Sequence, residues 1–290
     1  MQTPLLITPH QHDLGGGFVV RRLLPSAQRQ AVGPFLFFDH FGPVHAQPGD
    51  NHDVRPHPHI GIATVTYLFE GAMDHRDSTG AVQRIAPGEL NWMTAGKGIV
   101  HSERTPPDLR DKPRTAHGLQ LWMALPVEDE ECEPAFAHFS ADQIPKVALD
   151  GAQVTVMAGS AFGATSPAPA KTPTVYLDMQ LQAGAAVQIP ADYAERALYA
   201  LDAGCTLDGA ELPAHQMLAL TPGSMPVLKA TSAVRVVLVG GAPLGHRFIV
   251  WNFVSSRKER IVQAREDWIA GRFPVVAGET EFIPFPASKG

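Results

Sequence analysis

The segment RPHPHIGIATVTYLFEG, residues 55–71, sets His57 and His59 two positions apart at the mouth of a stretch that reads as a strand. Side chains alternate across a strand, so the two imidazoles share a face. A second pair, His101 and Glu103, follows forty-two residues after His59 in GKGIVHSE, again two apart. If the two strands are neighbours in a small barrel, three imidazoles and one carboxylate can converge on a point inside it. Such nitrogen and oxygen donors suit a divalent transition metal. Soft thiolate metals are disfavoured, as are calcium and magnesium, which prefer all-oxygen shells. Four protein donors leave up to two positions of an octahedron open for water, oxygen or substrate, and an open site is a reactive one. A lone His-x-His is more often a surface pair. The downstream His-x-Glu at barrel spacing is what lifts the pattern above that.

Other residues carry weaker chemistry. His40, His45 and His52 read as loop histidines near the site mouth, and His117, just before a strand, as a residue that satisfies a turn or makes a supporting hydrogen bond behind the ligands. Trp92, Met93 and Trp122 read as core, with Trp92 or Met93 within reach of a cavity wall. Met157 and Met179 also read as core. Cys132 and Cys205 have no base nearby in sequence and are expected to be inert thiols.

The elements that must position the donors are short strands. FVVRRLL (18–24), FLFF (35–38), ATVTYLFE (63–70), AVQRI (81–85), LNWMT (90–94), IVHSE (99–103) and GLQLWMAL (118–125) alternate or run apolar. Between them lie EGAMD, DSTG, APGE and TAGKG, which are turn chemistry. The glycines of TAGKG allow a sharp turn into the strand of His101. The first half, residues 1–145, is expected to be a closed antiparallel barrel. The Pro-rich stretch AFGATSPAPAKTPT (161–174) reads as an exposed crossing. Strand-like segments resume after it, so residues 146–290 are expected to form a second barrel. It contains no His-x-His, which predicts one metal per chain. A single helix is signalled at SSRKERIVQAREDWIAG. Ser256 and Glu259 have capping-box spacing, Ile261, Val262, Arg265, Trp268 and Ile269 follow at helical intervals, and Gly271 is placed to stop it.

The composition excludes several function classes. The chain has 290 residues, 44% hydrophobic and 18% charged, with a formal net charge of −6. No basic stripe is present, so direct nucleic-acid binding is not expected. No apolar run is long enough to span a bilayer, and the first seventeen residues lack the pattern of a leader. Two unpaired cysteines suit a reducing cytoplasm.

FLFFDHFGP, HPHIGIATVTYLFEG, PGELNWMTAGKGIVHSE and AHGLQLWMALP resemble the pirins, a branch of the cupin superfamily. GGAPLG and IVWNFVSSRKERIVQAREDWIAGRF, with GETEFIPFP, resemble the C-terminal half of bacterial pirins. The resemblance covers nearly the whole chain. It implies an all-β bicupin: two double-stranded β-helix, or jelly-roll, barrels packed face to face, with a C-terminal helix and metal in the N-terminal barrel only. By that resemblance the ligands are His57, His59, His101 and Glu103, with Glu103 also the catalytic group. The metal is Fe2+, with Ni, Mn, Cu, Co and Zn as alternatives. The general cupin pattern has a glutamate where Ala63 stands, so the carboxylate must come from Glu103. Two functions follow from the resemblance. One is a quercetin 2,3-dioxygenase-type oxidoreductase that opens flavonols. The other is an iron-containing redox sensor that binds a transcription factor or a metabolic enzyme.

Overall fold

Frequent glycine and proline limit most segments to a few residues, and the fold that results is built from short antiparallel strands. The computed structural model describes residues 4–14 and 17–287. Residues 1–3, 15, 16 and 288–290 lie outside it, among them part of the segment read for a leader. The protein is an all-β bicupin with one C-terminal helix, Lys258–Ile269. Among the described residues no helix is long and apolar enough to cross a membrane.

The chain divides into two compact units that are not consecutive halves. One contains residues 1–11, 21–39 and 139–244, and the other residues 12–20, 40–138 and 245–290. The C-terminal helix therefore groups with residues 40–138, on the other side of the cut expected at 145/146.

In the unit containing residues 40–138, a four-stranded sheet runs in the order Val54–His59, Ile99–Arg104, Met73–Asp77, Val82–Ile85. Opposite it lie Leu90–Thr94, Ile62–Glu70 and Arg114–Ala124, neighbours in a larger sheet. The two sheets meet through His59 on Trp122, ring centroids 5.0 Å apart, and through Gln120 on Glu103 at 3.0 Å. The helix seals one end. Ile261 and Ala264 pack with Ile60 and Phe253, while Val262 and Ile269 stay exposed.

The expected capping box does not form. The Ser256 hydroxyl donates to Glu130 at 2.9 Å, and Arg257 is the residue at the helix start, with no side-chain cap. Glu130 also accepts the Ser256 amide and pairs with Arg247 at 2.8 Å, so a buried ion pair takes the hydroxyl that a cap would need. Gly271, at φ +67, ends the helix as expected.

The other unit has the same two-sheet plan. Its larger sheet includes Glu195–Ala200, Val234–Gly241, Thr174–Leu181 and Ala152–Ala158. Val154, Val156, Leu177, Met179, Leu198, Leu228, Val236 and Leu238 fill its interior. That interior is a packed apolar core.

Candidate metal centre

Two prolines sit in the Val54–His59 strand, which only an edge strand tolerates well because proline has no amide hydrogen to give to a ladder. The strand is indeed at the edge of the four-stranded sheet. Its one strand neighbour is Ile99–Arg104, in antiparallel register with His57 opposite His101 and His59 opposite Ile99. The shared parity turns His57, His59 and His101 to the same inner face. The turn that feeds Ile99–Arg104 depends on Gly96, at φ +50, where a Cβ would run into the Cys132 carbonyl oxygen.

The three imidazoles form a tight, buried group. Their ring centroids are 4.3 to 5.1 Å apart, and one ring nitrogen from each lies within 4.8 Å of the others. They are 7%, 1% and 1% exposed, so no solvent pays for a charge on them. Burial pushes the His57 pKa down to about 4, and burial and the neighbouring imidazoles hold His59 and His101 well below their ordinary value. All three are neutral at pH 7.

Hydrogen bonds then select the tautomer. His57 Nδ1–H donates to the Arg55 carbonyl at 2.8 Å, and His59 Nδ1–H donates to the Asn252 carbonyl at 3.3 Å. Each bond leaves the Nε2 lone pair free. His101 Nε2 is buried with no hydrogen-bond partner. Three neutral imidazoles with converging lone pairs, one of them orphaned inside the protein, fit a divalent transition metal.

Glu103 stands apart from this group, and among the described residues no carboxylate joins the three nitrogens at that spacing. A register shift falls between His101 and Glu103. Glu103 accepts a hydrogen bond from Gln120 Nε2 at 3.0 Å, while Thr66 donates to Gln120 Oε1 at 2.6 Å and fixes the amide the right way round. Burial pushes the Glu103 carboxyl up to about 7, partly offset by Gln120. The residue borders a cavity of about 50 Å³ lined by Phe18, His52, Met73, Leu109 and Arg114 among others.

The remaining histidines divide. His52 is a loop residue stacked on Phe18 at 5.3 Å, at that cavity. His40 and His45 are not loop residues, because the strand begun by FLFF runs on from Phe35 to Ala46. His117 lies within Arg114–Ala124 rather than before it, and its Nε2 meets His40 Nε2 at 2.8 Å. Trp92, Met93 and Trp122 are core residues, and the Trp122 ring also meets His59 nearly at right angles. Ala63 is buried opposite Thr94 and Met123, where its methyl group donates nothing. Cys205 is buried, which raises its pKa to about 11 and keeps it a thiol.

Sequence reasoning missed His75, Asp77, Gln120 and the Asn252 carbonyl. His75-x-Asp77 has the same two-residue spacing as the ligand pairs, which is the signal that could have found it. EGAMD reads as a turn, and Met73–Asp77 is a strand.

Known proteins match along nearly the whole chain. The Pirin family model matches residues 17–123, and the Pirin C-terminal cupin domain matches residues 176–274. A pirin-like protein of Caulobacter vibrioides is 46% identical over 286 residues, covering 97% of this chain and 99% of that one. The crystal structure of quercetin 2,3-dioxygenase from Acinetobacter baumannii superposes with a TM-score of 0.91 at 35% identity, over 98% of this chain and 95% of that one. The bacterial pirin YhhW from Escherichia coli, solved in complex with nickel(II), shares the fold at 18% identity and a TM-score of 0.65, over 83% of this chain and all of that one.

Proposed function

This chain belongs to the pirin family, and on that premise we propose that it is a cytoplasmic, single-metal iron protein that opens flavonols such as quercetin with dioxygen. The observation that carries the reading is the trio of buried neutral imidazoles presenting free Nε2 atoms, His101 Nε2 being otherwise partnerless. The 35% identical quercetin 2,3-dioxygenase supports the substrate class. In this reading His57, His59 and His101 hold the metal and Glu103 is the fourth donor.

When bound, iron supplies Lewis acidity toward the adjacent oxygens of a flavonol and redox contact with dioxygen. The protein does the rest. The Arg55 and Asn252 carbonyls hold two imidazoles in the ligating tautomer. Burial pushes the metal-free Glu103 carboxyl up to about 7, so near neutral pH it gives up its proton as it becomes the fourth donor. The Trp122 indole against His59 keeps water from that side of the site.

The test is oxygen uptake with quercetin by protein of known iron content. Iron-loaded protein is expected to consume oxygen and bleach the flavonol, and metal-free protein to do neither. A full iron complement with uptake no higher than the metal-free control would defeat the dioxygenase reading. It would leave the redox-sensing regulator in its place.

A further inference from the structure

Behind His101 lies a second imidazole that none of the steps above uses. The Met73–Asp77 strand pairs with Ile99–Arg104 on the side away from His57, with His101 opposite Asp77 and Glu103 opposite His75. His75 and Asp77 are 5% and 2% exposed. His75 Nε2 meets Asp77 Oδ2 at 2.9 Å, and His75 Nδ1 faces His101 Nδ1 at 3.4 Å. Phe136 stacks on the His75 ring, centroids 4.3 Å apart at 14°, and holds its plane.

We propose that Asp77 and His75 act as positioning residues that fix the tautomer of His101, so that its Nε2 is delivered bare to the metal. The argument is one of counting hydrogens. The Asp77 carboxylate only accepts, so the proton between it and His75 sits on His75 Nε2. With that one hydrogen on Nε2, the His75 ring offers its Nδ1 as a lone pair, which accepts. His101 must place its own hydrogen on Nδ1 to meet it, and its Nε2 is left as a lone pair. Backbone carbonyls do this for His57 and His59. No carbonyl does it for His101, and the acid–imidazole pair stands in for one. The proposal rests on the metal-centre reading above.

Asp77 is itself oriented, which gives a sharp test. Its Oδ1 accepts from the Thr79 amide at 2.8 Å, the Thr79 hydroxyl at 2.6 Å and the Ala81 amide at 3.3 Å. In Asp77→Asn those donors keep the amide oxygen at the Oδ1 position, and the NH2 then faces His75 Nε2. The His75 proton is forced to Nδ1, against the His101 Nδ1–H. The relief is for His101 to move its hydrogen to Nε2, the wrong tautomer for a ligand. This is the same logic by which an Asp-to-Asn change disables a serine protease triad while leaving its geometry intact.

The probe is cobalt(II), read by chelator competition and by its visible absorption bands. Asp77→Asn and His75→Phe are expected to bind it about 10- to 100-fold more weakly than wild type, with shifted bands. His75→Asn, whose side-chain oxygen can accept where Nδ1 did, is expected to recover most of the affinity. Nitrogen NMR of metal-free wild type is expected to show His101 protonated on Nδ1. The opposite tautomer overturns the proposal whether or not any variant folds. So do variants that melt like wild type when metal-free and bind cobalt(II) within about twofold of it with unchanged bands. His75→Asn binding no better than His75→Phe overturns it too. Wild type that binds no cobalt(II) would fail the metal-centre reading itself, a different result from variants that bind as well as wild type.

Discussion

At the scale of residues, Glu103 carries a displaced pKa that makes its role measurable. A carboxyl moved from its ordinary 4.5 to about 7 binds its proton more tightly folded than unfolded. Glu103 alone therefore lowers the stability of metal-free protein by about 2–3 kcal/mol as pH rises from 4.5 to 7, while the buried imidazoles, held neutral by burial, contribute in the opposite sense over that range. Glu103→Gln carries no such charge. Metal-free Glu103→Gln is expected to be more stable than wild type at pH 8, with the gap closing by pH 4.5, as read by urea unfolding at the two pH values. Metal affinity provides the complementary test. If Glu103 is a ligand, a metal must displace its proton below pH 7, so affinity should fall by up to about tenfold per pH unit from there. In Glu103→Gln that phase should be missing, and the loss should begin only where His57 titrates, about 4. A wild-type affinity flat between pH 7 and 5 would remove Glu103 from the ligand set.

At the scale of elements, the two ligand-bearing strands were legible because strand parity and His-x-His spacing reinforce each other. The Met73–Asp77 strand was not. Its residues are Met-Asp-His-Arg-Asp, poor in the apolar and β-branched residues that mark strands, and its inner face is polar because it backs the histidines. Pairing on both sides, with Ile99–Arg104 and Val82–Ile85, makes it a strand regardless. The capping box failed for a similar reason, since a distant glutamate outbid the local one. Two outcomes belong here. Gly96→Ala must either strike the Cys132 carbonyl at positive φ or shift the backbone away from it, so it should cost about 2–4 kcal/mol in thermal unfolding and weaken metal binding by misplacing His101. The cavity beside Glu103, at about 50 Å³, is far below the roughly 300 Å³ of an ordinary ligand pocket. On the proposed function, a flavonol that enters beside Glu103 has to push this lining aside. Met73→Ala enlarges that cavity and is expected to raise kcat/KM for quercetin severalfold. An unchanged or lower value would place substrate entry elsewhere.

At the scale of the whole molecule, the alternation of strand and turn made the all-β class readable, and the resemblance made it a bicupin. The interleaving of the two units was not readable, since residues 21–39 join residues 139–244 through contacts that no local pattern encodes. The asymmetry between the units is the larger functional fact. One encloses three neutral imidazoles, and the other fills its interior with valine, leucine and methionine. Among the described residues a single group of histidine, cysteine and acidic side chains can hold a metal. Anomalous diffraction at the iron edge, from crystals of iron-loaded protein, tests this most directly. It should give one peak per chain, within bonding distance of Nε2 of His57, His59 and His101. A peak inside the barrel of residues 139–244, ligation through Nδ1, or no peak in iron-replete crystals would contradict the account.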